Sequence, residues 1–258
     1  MVIDGKRIAE AVLEDLENAG IRGLTLGILI AGSDAVTDSF VRTKARTAER
    51  LGVAVHRETI PETATTEETL SALARIASSV DGIIVQLPLP QQINTETVLA
   101  AIPPEKDVDG ISASPNVRPP VAEAILEILA QTGTQIHDAA AAVVGKGRLV
   151  GKPAAALLAE KGAHVSVIQH GDSLDALKNA DIVVLGAGEP GLVTPAHLKK
   201  GVVLIDAGTS ESSGKIAGDA DPACAEIASV FTPVPGGVGP IAVAMIFKNL
   251  HTLAAQSR

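Results

Sequence analysis

The segment from residue 141 to residue 153 carries glycines whose spacing could serve to bind a pyrophosphate. Gly145, Gly147 and Gly151 lie between an apolar stretch and a helix-like stretch. Glycine suits such a turn because the backbone must bend tightly and approach phosphate oxygens at a helix N-terminus. The spacing G-x-G-x-x-x-G is one residue longer than the usual fingerprint. The segment predicts a dinucleotide site, and an ordinary glycine-rich turn from strand to helix is the alternative.

The residues after the next apolar stretch bear on which nicotinamide cofactor the turn would hold. NAD sites usually place an Asp or Glu there for the ribose 2′-hydroxyl, whereas this chain has Gln169 and His170. Lys146 and Arg148 in the turn could pair with a 2′-phosphate. We therefore expect NADP rather than NAD. Taken singly, these side chains are more commonly solvated surface residues.

Polar side chains in the first half of the chain are candidates for proton transfer and ligand binding. Phe40 and Lys44 are four residues apart and share one helical face. Gln86 ends an apolar strand, at the edge where open parallel sheets bind ligands. Asp107 and Asp109 lie in a loop, where aspartates more often form turns or caps. The six histidines are scattered, so the sequence predicts no metal site.

Helix-like and strand-like stretches alternate along the chain and would position these residues. Such alternation is typical of parallel strands joined by helical crossovers, which predicts an α/β fold. We expect a capping box at Thr65 and Glu68 and a proline-rich linker at 111–120. The predicted helices are 4–20, 38–51, 65–80, one from 121, one after the glycine turn and 240–255, and the predicted strands are 24–32, one from 53, 82–86, one from 141, 164–168, 182–185 and 202–207.

Composition excludes several classes of protein. A chain of 258 residues with 46% hydrophobic residues is long and apolar enough to fold, as two small domains more readily than one. A net charge of −9, no Trp or Tyr and three Phe disfavour nucleic-acid binding. The single cysteine, Cys224, fits a reducing compartment, and we see neither an apolar leader nor an apolar run long enough to span a membrane. We expect a cytoplasmic protein.

Ordered motifs along nearly the whole chain resemble those of the bifunctional methylenetetrahydrofolate dehydrogenase/cyclohydrolase family. Phe40-Val41-Arg42-Thr43-Lys44 matches the family's Tyr-x-x-x-Lys helix, and DGIIVQLPLP matches its strand-end signature. The remaining matches are KDVDG at 106–110, VVGKGRLVGKPAAALL at 143–158, ADIVVLGAGEP at 180–190, VLIDAG at 203–208 and PGGVGP at 235–240.

The resemblance implies two α/β domains with a folate-binding cleft between them. An N-terminal catalytic domain would take residues 1–120 and the C-terminal helix 240–258, and a Rossmann-type NAD(P)-binding domain with a parallel sheet would take 121–239. The implied activity is oxidation of 5,10-methylenetetrahydrofolate to 5,10-methenyltetrahydrofolate with NADP, followed by hydrolysis to 10-formyltetrahydrofolate. A homodimer built through the nucleotide domain is also implied.

Site roles carry over from the matching motifs. Lys44 would transfer protons, Gln86 would form a hydrogen bond with Lys44 and orient it, and Asp109 would hold the pterin ring. The implied substrate-binding residues are Phe40, Val85, Leu87, Pro235, Gly236, Gly237 and Pro240, and the implied cofactor-binding residues are Gly145, Lys146, Gly147, Arg148, Gly151, His170 and Thr209.

The chain departs from the family at several of its motifs. Phe40 replaces the family's Tyr, Lys146-Gly147 replaces Arg-Ser, Ile241-Ala242 replaces Met-Thr, and residues 119–124 replace a Pro-Cys-Thr-Pro-x-Gly pattern. Two alternatives therefore stay open. One is a shikimate-dehydrogenase-like NADP oxidoreductase, and the other is a non-catalytic protein that binds folate or nucleotide.

Overall fold

The computed structural model describes residues 1–32, 35–212 and 215–256. Its helices are α1 (Gly5–Ala19), α2 (Ala35–Leu51), α3 (Thr66–Ala77), α4 (Thr95–Ala100), α5 (Pro120–Gln131), α6 (Gly151–Glu160) and α7 (Val238–Gln256), with 3-10 helices at Leu174–Asn179, Pro195–His197 and Pro222–Glu226. Its strands are β1 (Thr25–Ala31), β2 (Ala54–Ile60), β3 (Gly82–Val85), β4 (Ala140–Val144), β5 (His164–Ile168), β6 (Ile182–Leu185), β7 (Val203–Asp206), β8 (Ser210–Ser212), β9 (Lys215–Ala217) and β10 (Val230–Phe231).

Most of the predicted elements are confirmed, with ends that differ by up to three residues. The capping box is present: the Glu68 N–H donates to the Thr65 hydroxyl, and the Thr65 N–H donates to the Glu68 carboxylate. Helix α3 ends three residues before the predicted position, since Ser78 is its C-cap. Helix α2 begins three residues earlier than predicted, and α7 begins two residues earlier.

The described chain divides into two compact units. The N-terminal unit comprises Ala11–Pro120 and Val243–Arg258, and the central unit comprises Met1–Glu10 and Val121–Ala242. This division differs from the predicted domains at residues 1–10 and 240–242. Residues 1–10 join the central unit because the chain start pairs with the central sheet. The Ile3 N–H donates to the Phe231 carbonyl at 2.8 Å, and Val2 forms a parallel bridge with Phe231.

The N-terminal unit is built on a parallel sheet of order β2-β1-β3. Strand β1 is central and almost wholly buried, and α3 and α4 pack on the sheet around a core that includes Leu73, Ile76, Val98 and Leu99. The loop after α4 joins the sheet, because the Ile83 N–H donates to the Lys106 carbonyl and Ile83 bridges Asp107. The KDVDG segment is therefore anchored beside β3.

The central unit contains a parallel sheet of order β10-β7-β6-β4-β5. From β4 the chain adds β5 on one side and then β6, β7 and β10 on the other, so the strand order reverses beside β4. Open sheets bind ligands at such a reversal, outside the carboxyl ends of the strands. The antiparallel hairpin β8–β9 and the short strand β10 are additions that the sequence pattern did not predict.

Helix α7 is the one described helix that is long and apolar enough, by length and composition, to cross a membrane. The sequence prediction concerned uncharged apolar runs, and α7 includes the charged residue Lys248. Half of the stretch is buried inside the protein. Ile241, Phe247 and Leu250 are fully buried, as in the core helix of a globular protein.

Candidate active site and dinucleotide site

Lys44 lies on α2, and its side chain reaches the end of β3. Its Nζ donates a hydrogen bond to Gln86 Oε1 at 2.8 Å. The Gln86 N–H donates to the Leu29 carbonyl, which continues the pairing of β3 with β1. The Gln86 Nε2 donates to the Leu87 carbonyl at 2.8 Å, so its amide oxygen faces Lys44. The hydrogen bond that the resemblance implied between these two side chains is present.

Asp109 is held by the geometry of the KDVDG loop. The buried Asp107 carboxylate accepts the N–H groups of Ile111 and Ser112 at 2.8 and 2.7 Å. Gly110 has a φ of 61°, and a Cβ there would approach the Val117 carbonyl to 2.7 Å. Asp109 thus sits between two residues whose positions are fixed.

Helix α7 supports the same loop from within the N-terminal unit. The Asn249 Nδ2 donates to the carbonyls of Val108 and Arg118, each at 2.9 Å. Asn249 is itself buried, so these bonds satisfy a side chain that water cannot reach. The last helix therefore helps to place the carboxylate of the neighbouring Asp109.

Lys44 and Asp109 perturb each other's protonation. Burial lowers the pKa of Lys44, and the negative charge of Asp109 partly opposes that change. Burial also raises the pKa of Asp109 to about 6, where Lys44 opposes the rise and Asp107 adds to it. An amine and a carboxyl with opposed shifts in one unit are typical of a site that exchanges protons near neutral pH.

The three substrate-binding residues predicted on the N-terminal unit differ in exposure. Phe40 lies one turn before Lys44 on α2 and is 40% exposed, so its ring is available to a ligand. Val85 is 2% exposed and belongs to the hydrophobic core, and Leu87 packs against that core. The side chain of Val85 therefore supports the sheet, and its contact with substrate stays a prediction.

The glycine-rich turn follows β4, and two of its glycines are required by packing. A Cβ on Gly145, whose φ is 94°, would lie 2.5 Å from the Gly186 carbonyl oxygen. A Cβ on Gly151 would lie 2.1 Å from the Gly145 carbonyl oxygen. Gly147 is different, because a Cβ there would meet its nearest atom only at 4.0 Å. The space above Gly147 is open, as a site for phosphate needs.

The start of α6 lies beside this open space, and the Lys152 N–H donates to the Gly147 carbonyl at 3.0 Å. Val150, at the N-cap position, has an apolar side chain that makes no capping hydrogen bond. Helix N-termini of this kind favour anions. Lys146 in the turn is exposed and Arg148 is half-buried. These residues fit the pyrophosphate of a dinucleotide.

A carboxylate that the sequence analysis missed, Glu189, approaches the end of β5. His170 is almost fully exposed, and its Nδ1 lies 4.0 Å from Glu189 Oε2. Glu189 follows β6, and the presence of an acidic residue after that strand was the sequence signal that could have predicted this carboxylate. Its charge opposes a 2′-phosphate near His170, whereas Lys146 and Arg148 favour one.

The PGGVGP segment and Thr209 lie in the central unit. The Gly5 N–H donates to the Gly236 carbonyl at 2.9 Å, and a Cβ on Gly237 would lie 2.7 Å from the Pro233 carbonyl oxygen. Pro235 is exposed, Gly236 and Pro240 are half-buried, and Gly237 is buried. Thr209 is exposed just after β7. The contacts of these residues with ligands stay predictions.

Within the ranges 1–32, 35–212 and 215–256, no group of three or more His, Cys, Asp or Glu residues is placed to hold a metal ion. Cys224 is buried, and its Sγ donates to the Val193 carbonyl. Burial raises the pKa of the Cys224 thiol to about 11. A thiol of this kind is a poor nucleophile.

Comparison with known proteins matches both parts of the chain to one family. Residues 3–109 match the catalytic domain of tetrahydrofolate dehydrogenase/cyclohydrolase, and residues 119–258 match its NAD(P)-binding domain. The bifunctional protein FolD of Staphylococcus aureus strain Newman is 39% identical, over 99% of this chain and 96% of that protein.

Solved structures give a consistent result. The N5,N10-methylenetetrahydrofolate dehydrogenase-cyclohydrolase of Trypanosoma brucei, solved with NADP and an inhibitor, has a TM-score of 0.94 and 32% identity, covering 100% of this chain and 98% of that one. Shikimate 5-dehydrogenase of Thermus thermophilus has a TM-score of 0.57 and 18% identity, covering 91% and 98% of the two chains. The second likeness extends to the fold alone.

Proposed function

Because this chain belongs to the tetrahydrofolate dehydrogenase/cyclohydrolase family, we propose that Lys44, Gln86 and Asp109 form the centre at which it carries out both reactions. It oxidises 5,10-methylenetetrahydrofolate to 5,10-methenyltetrahydrofolate with NADP, and it hydrolyses the product to 10-formyltetrahydrofolate. The observation that carries the assignment is the Lys44–Gln86 hydrogen bond, with Asp109 as the neighbouring charge.

Lys44 is the proton-transfer group of the hydrolytic reaction. Water adds to the methenyl carbon and must lose a proton as the ring opens to the formyl product. Because burial lowers the pKa of Lys44, its amine takes up that proton more readily near neutral pH than an exposed lysine would. The Gln86 oxygen accepts an N–H of Lys44, which directs the Nζ lone pair away from Gln86.

Asp109 anchors the pterin ring. Its carboxylate can accept two parallel hydrogen bonds, from the exocyclic amino group and a ring nitrogen, a planar donor pair that suits the two oxygens. Since burial raises the pKa of Asp109 to about 6, the anchor is mostly ionised at pH 7 and loses its charge below pH 6.

Hydride transfer needs the substrate and the dinucleotide to be held together more than it needs acid or base. NADP, when bound, supplies the hydride acceptor. The open space at Gly147, the start of α6 and the charges of Lys146 and Arg148 support its binding by the central unit. His170, after β5, and Thr209, after β7, complete the proposed cofactor site.

The substrate surface of the central unit is the PGGVGP segment. Its glycines lack side chains, so a folate can lie against backbone there, between Pro235 and Pro240. On the N-terminal unit, the exposed ring of Phe40 is the apolar group suited to pack on the pterin.

A homodimer assembled through the central unit, in the cytoplasm, is part of the same proposal. Strand β5 supports the dimer, because it is an edge strand that pairs on its outer side with no strand of the described residues, and its Val167 is 42% exposed. Light scattering on the wild type and on Val167→Lys tests it. A monomeric wild type would contradict it.

The experiment that tests the function is a paired assay on one preparation. NADPH formation from methylenetetrahydrofolate and hydrolysis of methenyltetrahydrofolate are followed separately, and both are expected. Shikimate is offered in parallel as the substrate of the alternative oxidoreductase, and no NADPH should form from it. Binding of folate and NADP without turnover of either reaction would support a non-catalytic protein.

A further inference from the structure

The turn that follows β6, residues 186–189, is fastened by one buried side chain. Asp219 is fully buried, and its Oδ2 accepts the N–H groups of Ala187 at 2.7 Å and Gly188 at 3.1 Å. Its Oδ1 accepts the N–H of Glu189 at 2.7 Å. Three consecutive N–H groups thus converge on one carboxylate, and hydrogen bonds to a charged acceptor are the stronger kind.

The backbone around Asp219 binds the continuation of the same loop. The Gly191 N–H donates to the Gly218 carbonyl at 3.2 Å, and the Val193 N–H donates to the Asp219 carbonyl at 2.9 Å. The conformation of residues 187–193 therefore depends on the Gly218-Asp219 dipeptide.

A second buried carboxylate, Asp206 at the end of β7, holds that dipeptide in place. Its two oxygens accept the N–H groups of Ala220 at 2.8 Å and Gly208 at 3.0 Å. A Cβ on Gly218 would lie 2.2 Å from the Asp206 carboxylate, and a Cβ on Gly208 would lie 2.2 Å from the Asp219 carboxylate. Each glycine packs on the other segment's carboxylate, so Asp219 has little freedom to move.

The fastened turn touches two parts of the proposed cofactor site. The Gly186 carbonyl oxygen closes the space at Gly145, where a Cβ would lie only 2.5 Å away. The side chain of Glu189 reaches within 4.0 Å of His170. A displacement of residues 186–189 would therefore disturb both the phosphate-binding turn and the end of β5.

We propose that Asp219 is a positioning residue for dinucleotide binding, which acts by holding residues 186–189 against the glycine-rich turn. This inference rests on the proposed use of NADP. In Asp219→Asn the shape of the side chain is kept, but the amide nitrogen cannot accept a hydrogen bond. At least one of the three N–H groups then faces a donor instead of an acceptor.

The test compares the wild type with Asp219→Asn and with a matched control, Asp221→Asn. Asp221 lies in the same segment, and its Oδ1 accepts the Ala223 N–H, outside the loop. For Asp219→Asn we expect the dissociation constant of NADP, measured by calorimetry, to rise about tenfold or more. The rate of methenyltetrahydrofolate hydrolysis, assayed without dinucleotide, should stay at the wild-type value. Asp221→Asn should match the wild type in both measurements.

Two outcomes for the Asp219→Asn variant would overturn the inference. An unchanged NADP affinity in Asp219→Asn would remove Asp219 from cofactor binding, and an equal loss of hydrolysis and NADP binding would show a role in folding alone. A wild type that does not bind NADP would overturn the proposed function and this inference with it. The wild-type result is measured first, so the two failures are distinguishable.

Hydrogen exchange on the wild type tests the same contact without any substitution. The amides of Ala187, Gly188 and Glu189 belong to exposed residues, yet each is bonded to a buried acceptor. We expect their exchange to be slowed about tenfold or more relative to an open chain. Exchange at the open-chain rate would overturn the inference even if Asp219→Asn proved too unstable to purify.

Discussion

Replacing Asp109 by Asn should make the protein more stable at pH 7 while it weakens the enzyme. The pKa of Asp109 is raised from 3.8 to about 6, about 2 pKa units, which corresponds to about 3 kcal/mol for ionising the folded protein. That figure already includes the attraction of Lys44. Because the side chain is partly exposed, we reduce it to about 2 kcal/mol for solvent screening. Asn carries no such cost.

The pH dependence fixes the sign of this effect. Between about pH 4 and pH 6 the folded protein holds a proton on Asp109 that the unfolded chain has lost. The free energy of unfolding of the wild type therefore falls as the pH rises through this range. Asp109→Asn lacks this contribution, so its stability advantage should be near zero at pH 4 and about 2 kcal/mol at pH 7.

Urea unfolding followed by far-ultraviolet circular dichroism is the suitable assay, since the chain has no Trp or Tyr for fluorescence. Asp15→Asn is the control, because Asp15 is an exposed carboxylate on α1 of the same unit. The difference in unfolding free energy between Asp15→Asn and the wild type should be the same at pH 4 and at pH 7. An Asp109→Asn variant no more stable than the wild type at pH 7 would refute the argument from burial.

The same site predicts a kinetic effect for Asp109→Ala. A lost hydrogen bond to a charged group costs about 1.5 to 3 kcal/mol, so KM for folate should rise about tenfold or more. A KM at the wild-type value would contradict the role of Asp109 as the pterin anchor.

Three further substitutions test the remaining roles. Lys44→Met should reduce hydrolysis about 100-fold or more while folate binding persists, and an unchanged hydrolysis rate would exclude Lys44 as the proton-transfer group. Changing Lys146 and Arg148 together to Ala should lower the preference for NADP over NAD in kcat/KM and leave use of NAD nearly intact; equal use of both cofactors by the wild type would contradict the preference itself. Phe40→Tyr should raise hydrolysis more than hydride transfer, because a phenol can hydrogen-bond where Phe cannot, and two unchanged rates would show that the hydroxyl has no role.

Regular elements were predictable where local signals agree. The capping box of Thr65 and Glu68 predicts the start of α3. The apolar runs of β1 and β6 are typical of strands buried in a parallel sheet. The chain start and β10 were not predictable, because β10 is defined by its pairing with β7 and Val2 by its bridge to Phe231. Partners this far apart in sequence leave no local pattern.

The candidate site also has features that the sequence predicts and contacts that only the fold shows. The four-residue spacing of Phe40 and Lys44 is visible in the sequence, but the contact between Lys44 and Gln86 joins a helix to a strand end and was expected only from the resemblance. The role of Asp219 gave no signal, since Gly-Asp is an ordinary turn dipeptide. Only the fold shows that its carboxylate faces three N–H groups of a distant loop.

The pairing of the chain start with residues near its other end sets the order in which the protein can fold. The N–H groups of Ile3 and Gly5 donate to the carbonyls of Phe231 and Gly236. The Val108 carbonyl accepts from the side-chain amide of Asn249, 141 residues away on the last helix. Contacts of such high sequence separation form slowly, because a long chain must close before they are gained. During synthesis on a ribosome, the central unit could complete its packing only after residue 242 had emerged, and the N-terminal unit only after the rest of the final helix had followed. A gene fragment cut at residue 120 would therefore encode neither unit whole, since it lacks residues 243–258 of the N-terminal unit and residues 121–242 of the central unit.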